Sequence, residues 1–238
     1  MKLALIGYGK MGKAIEEVAL HRGHEIVLKI DLPNMHEFTQ ENLAQTDVVI
    51  EFTSPLSAFD NVKKCLEFNI PVICGSTGWT DKLEEMKNLC TEKNGAFIYS
   101  SNYSVGVNIF FEVNKKLASL MAPHKEYEVI LEETHHTQKK DAPSGTAITL
   151  AEQILGMVHR KKQWLNELSD NPEDLEIISQ RVDPAPGTHS VKYSSVIDNI
   201  EIVHTAHNRT GFATGAVLAA EFIQNKKGFF GMKDVLGL

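Results

Sequence analysis

One segment gathers more reactive groups than any other part of this chain: Glu132-Glu133-Thr134-His135-His136-Thr137-Gln138-Lys139-Lys140-Asp141-Ala142-Pro143-Ser144-Gly145-Thr146-Ala147. Two adjacent histidines and two lysines fall inside it, enough to supply a local positive potential. Ser144-Gly145-Thr146 follows Pro143 and opens a helical pattern, so its backbone N–H groups are placed to hold a carboxylate. The chemistry suggested is binding and protonation of a small anion. Taken singly, each histidine or lysine fits a solvated polar loop with a helix cap equally well. Metal ligation is disfavoured, because neighbouring histidines on a strand point apart and no third ligand stands out at a suitable spacing.

A second constellation lies at the N-terminus. Gly7-Tyr8-Gly9-Lys10-Met11-Gly12 is G-x-G-x-x-G between an apolar run, Lys2 to Ile6, and an amphipathic stretch, Met11 to His21. The first glycine permits a tight turn, the second lets a pyrophosphate approach the backbone, and the third lets helix and strand pack closely. Asp31 closes the next strand-like run, where an acidic side chain accepts hydrogen bonds from adenosine ribose hydroxyls. This predicts a site for NADH, NADPH or both. Gly75-Ser76-Thr77-Gly78 and Ser100-Ser101-Asn102-Tyr103 each follow a later strand, at positions where open α/β sheets bind ligands, and Gly75, Ser76, Thr77 and Ser100 to Tyr103 are candidates for the nicotinamide end.

The elements that must position these groups alternate strand and helix as far as Asn102. Strand-like runs at Glu25 to Ile30, Val48 to Ile50, Pro71 to Cys74 and Ala96 to Tyr99 are separated by helical patterns at Leu56 to Phe68 and Asp81 to Lys93. Such alternation implies a parallel sheet with right-handed crossovers. Beyond it come a long helix, Val105 to Met121, and strands at Tyr127 to Thr134, Glu176 to Val182, Ser190 to Ser195 and Ile200 to Ala206, with one helix from Ser144 to Met157. The expected fold is α/β: a Rossmann-type parallel sheet followed by an α+β domain with a mixed, largely antiparallel sheet. The expected boundaries are 1–104, completed by a tail at 213–238, and 105–212.

Composition limits the partners. With 238 residues, 42% hydrophobic and 23% charged, the chain has the makings of an ordinary globular protein. A net charge of -7 argues against nucleic acid and acidic membranes. No membrane span and no cleavable signal are evident, so a cytoplasmic location is expected. Cys65, Cys74 and Cys90 lack any C-x-x-C pair and read as reduced, small hydrophobes.

The segment from Glu133 to Ala147, read as E-x-H-H-x-x-K-x-D-A-P-S-G-T-A, resembles the 4-hydroxy-tetrahydrodipicolinate reductase family, also called dihydrodipicolinate reductases. Gly75-Ser76-Thr77-Gly78 stands where that family has G-T-T-G, and Asn102-Tyr103-Ser104-Val105-Gly106 where it has N-F-S-x-G. Gly187-Thr188-His189-Ser190-Val191, His204 to Gly215 and the ending Met232 to Leu238 carry the resemblance to the C-terminus. It implies a Rossmann domain and a substrate domain whose sheet assembles homotetramers. It also implies NAD(P)H-dependent reduction of a small cyclic dicarboxylate in the diaminopimelate route to lysine. By position, Lys139 resembles the general acid, His135 a second proton donor or acceptor, His136 a substrate contact, and Gly145 and Thr146, with Ser144, the holders of a substrate carboxylate. The chain departs from the family in shorter loops around 32–45 and 157–175, in Ser76 for threonine and in Tyr103 for phenylalanine. A different reductase on this architecture leaves His135, His136 and Lys139 together without a reason, and a non-catalytic dinucleotide sensor needs the glycine turn but not the basic segment.

Overall fold

The computed structural model describes residues 1–238, which form two compact units: Met1–Val105 with Arg209–Leu238, and Gly106–Asn208. In the first unit the chain runs β1 (Lys2–Ile6), α1 (Lys10–His21), β2 (Glu25–Ile30), α2 (Gln40–Leu43), β3 (Val48–Glu51), α3 (Ala58–Glu67), β4 (Val72–Cys74), α4 (Leu83–Glu92) and β5 (Ala96–Tyr99). The second unit takes up nearly all of α5 (Val105–Met121), then β6 (Glu128–His135), α6 (Gly145–Met157), β7 (Gln163–Leu165), β8 (Asp174–Arg181), β9 (Gly187–Ser194) and β10 (Asn199–Ala206). The chain then returns to the first unit through α7 (Thr210–Ile223), β11 (Gly228–Phe230) and α8 (Met232–Leu236).

The first sheet is entirely parallel, in the order β11-β5-β4-β3-β1-β2. Its strands read as continuous apolar runs because both faces are covered. Leu3, Leu5, Val48, Ile50, Ile73 and Ile98 point into one core with α1 and α7, while Ala4, Ile6, Val49, Val72 and Phe97 point into the other with α3 and α4. All three cysteines are buried and unpaired in that second core. The C-terminal tail supplies the edge strand: β11 pairs with β5, Gly228 opposite Ala96. Neither β11 nor α8 was evident from apolar periodicity, since a three-residue strand and a five-residue helix are too short to show one.

The sheet of the second unit is mixed, in the order β10-β9-β6-β8-β7. The two antiparallel ladders, β10 with β9 and β9 with β6, are the long ones; β6–β8 is parallel, with α6 in the crossover between them, and β7–β8 is parallel through the connection 166–173. β7 is a short strand that the sequence pattern did not reveal. Helices α5 and α6 cover one face through Phe110, Ala118, Leu150 and Ile154, packed on Leu131, Ile177, Val191 and Tyr193. By alternation the opposite face carries Ile130, Ile178, Ser190, Lys192 and Val203. No helix of the chain is long and apolar enough to cross a membrane.

Small residues on α7 set how closely it approaches the turn before α5. A Cβ on Gly215 would stand 1.6 Å from the Tyr103 carbonyl oxygen, and Tyr103 is itself fixed by its hydroxyl, which donates to the Cys74 carbonyl at 2.9 Å. We expect Gly215→Ala to cost at least the ~1–3 kcal/mol of an overpacked core, because backbone on both sides must move. Urea denaturation of the two proteins checks this; an unchanged midpoint would show that α7 can shift freely.

Candidate active site

Register builds the first of two sites. Ile6 lies beside Glu51, Glu51 beside Cys74 and Cys74 beside Tyr99, so the residues that follow leave the sheet together. Their amides continue the ladder: Gly7 donates to the Ile30 carbonyl at 2.8 Å, Phe52 to Ile6 at 2.8 Å, Gly75 to Glu51 at 3.0 Å and Ser100 to Cys74 at 3.3 Å. The strand order reverses between β1 and β3, which places the ligand crevice of a doubly wound sheet at these carboxyl ends. A cavity of about 230 Å³ lies there, lined by residues that include Met11, Phe52, Thr53, Pro55, Gly75 and Thr77. Gly7 adopts φ +94° with the position of its missing Cβ only 2.1 Å from the Phe52 carbonyl oxygen, and at Gly12 the corresponding distance is 2.3 Å from the Gly7 oxygen. The glycine turn, helix α1 and the adjacent cavity therefore fit a dinucleotide.

Beneath the cavity lies a group that the sequence did not announce. Glu51 is fully buried and accepts hydrogen bonds from the Thr53 amide at 3.0 Å, the Thr53 hydroxyl and the Cys74 thiol at 3.0 Å. It thereby shapes the Phe52–Pro55 loop, whose Thr53 amide also donates to the Ser76 hydroxyl at 2.8 Å. Tyr8 is tied back to α1 by its bond to Glu16, which also pairs with Lys29. Asp31 caps the 3₁₀ turn Leu32–Glu37, its carboxylate accepting from the Leu32 amide at 2.8 Å, while the Leu32 side chain is exposed. Lys10 and Gly9 are exposed at the turn, and Ser100, Ser101 and Asn102 cluster in the loop after β5, where the Ser100 hydroxyl donates to the Asn102 carbonyl at 2.7 Å.

The second site is organised around Glu133. On β6 it sits opposite Ser179 of β8 and His189 of β9, all on the face that α6 covers. Its carboxylate accepts from the Ser144 amide at 3.0 Å, the Ser179 hydroxyl at 2.7 Å and the Arg181 guanidinium at 3.2 Å. His135 Nδ1 and His189 Nε2 stand at 3.4 and 3.6 Å from the same group, and the two imidazoles meet edge to face. Burial opposes the Glu133 charge, but the His189, Ser144 and Ser179 hydrogen bonds outweigh it and hold the carboxyl far below its usual range. Burial first, and the His189 and Lys139 charges next, bring His135 down to about 4, against the pull of Glu133; His135 is a neutral imidazole at neutral pH.

The loop between β6 and α6 carries Lys139, whose ammonium donates to both oxygens of Asp141 at 2.8 Å. Asp141 is pushed up by partial burial but is held low overall by that bond. His136, half-buried, begins this loop, and its carbonyl accepts from the Lys139 amide at 3.1 Å. Gly145 is exposed and Thr146 half-buried at the first turn of α6.

The family model for the dihydrodipicolinate reductase N-terminus matches residues 1–103, and the model for the C-terminus matches residues 106–236. This chain belongs to the dihydrodipicolinate reductase family. A 4-hydroxy-tetrahydrodipicolinate reductase from Christiangramia forsetii is 49% identical over 99% of this chain and 98% of its own length. One from Neisseria meningitidis serogroup B is 34% identical over 94% and 84%. The dipicolinate-bound dihydrodipicolinate reductase from Paenisporosarcina sp. TG-14 superposes with a TM-score of 0.76 over 97% of both chains at 23% identity, a likeness of fold.

Within this reductase fold two expected assignments are corrected. The Ser144 amide is committed to Glu133, and its hydroxyl accepts from the Ala147 amide at 3.2 Å and meets His189 Nε2 at 3.1 Å; Ser144 is a cap, 3% exposed, and Gly145 and Thr146 are the members of the turn that face outward. Tyr103 is a core residue, 2% exposed, because its ring packs on Phe52 and its hydroxyl is taken by the Cys74 carbonyl. His135 ends β6 and Lys139 lies in the loop that follows it, while His189, Ser179 and Arg181 were missed. Only the G-T-H-S-V match had touched one of them. The expectation that no third metal ligand exists also changes, since donor atoms of Glu133, His135 and His189 lie within 4.8 Å of one another. The Glu133 carboxylate is nonetheless already matched by Arg181, the Ser144 amide and the Ser179 hydroxyl, so a cation there would have to displace a guanidinium.

The depressed His135 has a thermodynamic signature. Between pH 6.5 and about 4 the unfolded chain binds a proton at this position that the folded protein does not, so stability falls as pH drops through that window. Glu133 acts elsewhere, its contribution being present above the unfolded value near 4.5 and lost below it. We expect His135→Gln to flatten the decline in urea midpoint between about pH 7 and pH 5. Parallel curves for the two proteins would show that His135 titrates in the fold as it does in the unfolded chain.

Proposed function

We propose that the chain catalyses the NAD(P)H-dependent reduction of 4-hydroxy-tetrahydrodipicolinate to tetrahydrodipicolinate with loss of water, in the diaminopimelate route to lysine. The observation that carries this is the match of both halves to one reductase family, with E-x-H-H-x-x-K-x-D-A-P-S-G-T-A seated on the Glu133 cluster. The nearest alternatives, a sensor or an unrelated reductase, leave that cluster idle. Dipicolinate in the Paenisporosarcina relative is a planar dicarboxylate of the substrate's shape.

When bound, the reduced nicotinamide supplies a hydride to ring C4 of the substrate. The chain's own residues bind the two carboxylates and deliver a proton. Gly145 and Thr146 open α6 with amides at the positive end of its dipole and hold one carboxylate, helped by His136. Lys139 donates the proton; Asp141 holds its ammonium until substrate arrives. His135, neutral and close to Glu133, serves as a second donor or acceptor. In the first unit, Gly7 to Gly12 cradle the pyrophosphate, Asp31 the adenosine ribose, and Gly75, Ser76, Thr77 and the Ser100–Asn102 loop the nicotinamide end. The uncovered face of the second unit's sheet, with Ile130, Ile178 and Val203 among polar and charged side chains that pair Lys192 with Glu201 in the register, suits assembly as a homotetramer. A cytoplasmic location accompanies this reading.

Loss of NAD(P)H absorbance with freshly prepared substrate tests the activity; no turnover would sink it. Lys139→Ala should lower kcat roughly 100-fold, the usual scale for a lost general acid, with NADH affinity kept. Lys139→Arg decides the role, because a guanidinium keeps the charge but does not release its proton. Near-normal kcat in that variant would make Lys139 a fixed charge only.

Cofactor choice follows from Asp31 and Leu32. A carboxylate there repels a 2′-phosphate and accepts from a 2′-hydroxyl, and no arginine follows it. NADH should be used at least as well as NADPH; a strong preference for NADPH in kcat/KM would show that Lys10 or another cation governs the choice.

A further inference from the structure

Arg181 stands at the end of β8, beside His135 in the register, and its side chain reaches under the loop that carries Lys139. Its guanidinium donates to four acceptors on three segments. Nη2 reaches Glu133 Oε1 at 3.2 Å and the Asp141 carbonyl at 2.5 Å, Nε reaches the Lys139 carbonyl at 3.4 Å, and Nη1 reaches the Gln180 carbonyl at 2.8 Å. The two loop carbonyls belong to the same residues whose side chains form the Lys139–Asp141 pair. One planar fork thus holds the main chain at both ends of that pair, and a buried carboxylate holds the fork.

We propose that Arg181, anchored on Glu133, is a positioning residue for the reductase reaction: it fixes the 139–141 loop so that the Lys139 ammonium is presented in one place, without itself touching substrate. The proposal rests on the functional assignment above for its catalytic consequence, and on geometry alone for the clamp. The same carboxylate accepts the Ser144 amide, so the clamp also ties the proton-donor loop to the first turn of α6, where Gly145 and Thr146 lie. Two parts of the candidate site, donor and carboxylate holder, are referred to one buried group. The outer end of the loop is fastened separately, by Thr137 donating to Asp183 through its amide at 3.1 Å and its hydroxyl at 2.5 Å. Arg181 is therefore the contact at the Lys139 end.

Lysine cannot replace it. An ammonium keeps the charge opposite Glu133 but radiates its donors from one atom, so it cannot serve Glu133 and the separated carbonyls of residues 139, 141 and 180 together. The decisive measurement pairs hydrogen exchange with kinetics on Arg181→Lys. The hydrogen-bonded amides of Lys139 and Ser144 should exchange at least 10-fold faster than in the wild type, with exchange in the first unit unchanged. In turnover, kcat should fall at least 10-fold while the KM for NADH stays the same. Glu133→Gln keeps the shape of the anchor without its charge, and should loosen the same amides. Wild-type exchange of the Lys139 and Ser144 amides in both variants overturns the clamp, as does a normal kcat in Arg181→Lys. If Arg181→Lys does not fold, wild-type exchange in Glu133→Gln is sufficient to overturn it. Absence of turnover in the wild type would instead count against the functional assignment, and the exchange experiment would still decide the clamp.

Discussion

The second unit depends on a carboxylate taken out of water. Glu133 is 1% exposed on the middle strand of its sheet, and a buried charge is tolerable only when its hydrogen-bonding capacity and its charge are both met. Meeting them recruits a residue from each neighbouring strand, Ser179 and His189, a guanidinium from the end of β8, and the first amide before α6. The helix N-terminus that a sequence reader would offer to a ligand is thus partly filled by the protein's own anion.

The first unit solves a different problem with the same economy of means. Parallel strands cut at matched positions deliver Gly7, Phe52, Gly75 and Ser100 to one edge, each held by an amide that continues the ladder of its neighbour. A second buried glutamate, Glu51, ties the loop after β3 to the loop after β4 through Thr53 and Ser76. In both units a carboxylate beneath the site shapes the loops above it, and in neither is that carboxylate exposed to solvent.

The hydrophobic pattern carried most of the architecture. Alternation of apolar strands with amphipathic helices to residue 102 follows from covering both faces of a parallel sheet, and apart from the four-residue α2, which was not expected, the strands and helices found there fall close to the expected boundaries. Strand β7, strand β11 and helix α8 escaped because three to five residues cannot display a period. The glycine turn was legible for a steric reason, since a side chain at residue 7 or 12 would collide with backbone.

Sequence alone determined the family and the place of the dinucleotide turn, because these are local: a motif of adjacent residues, or glycines fixed by neighbouring backbone. Tertiary structure alone decided which groups serve one another. His189, Ser179 and Arg181 lie 44 to 56 positions from Glu133 and His135 along the chain and meet them only through strand register. The turn into α6 brought the Ser144 amide to that carboxylate, and side-chain packing sank Tyr103 into the core. Partnership of this kind depends on which strand lies beside which, and a linear pattern does not encode that.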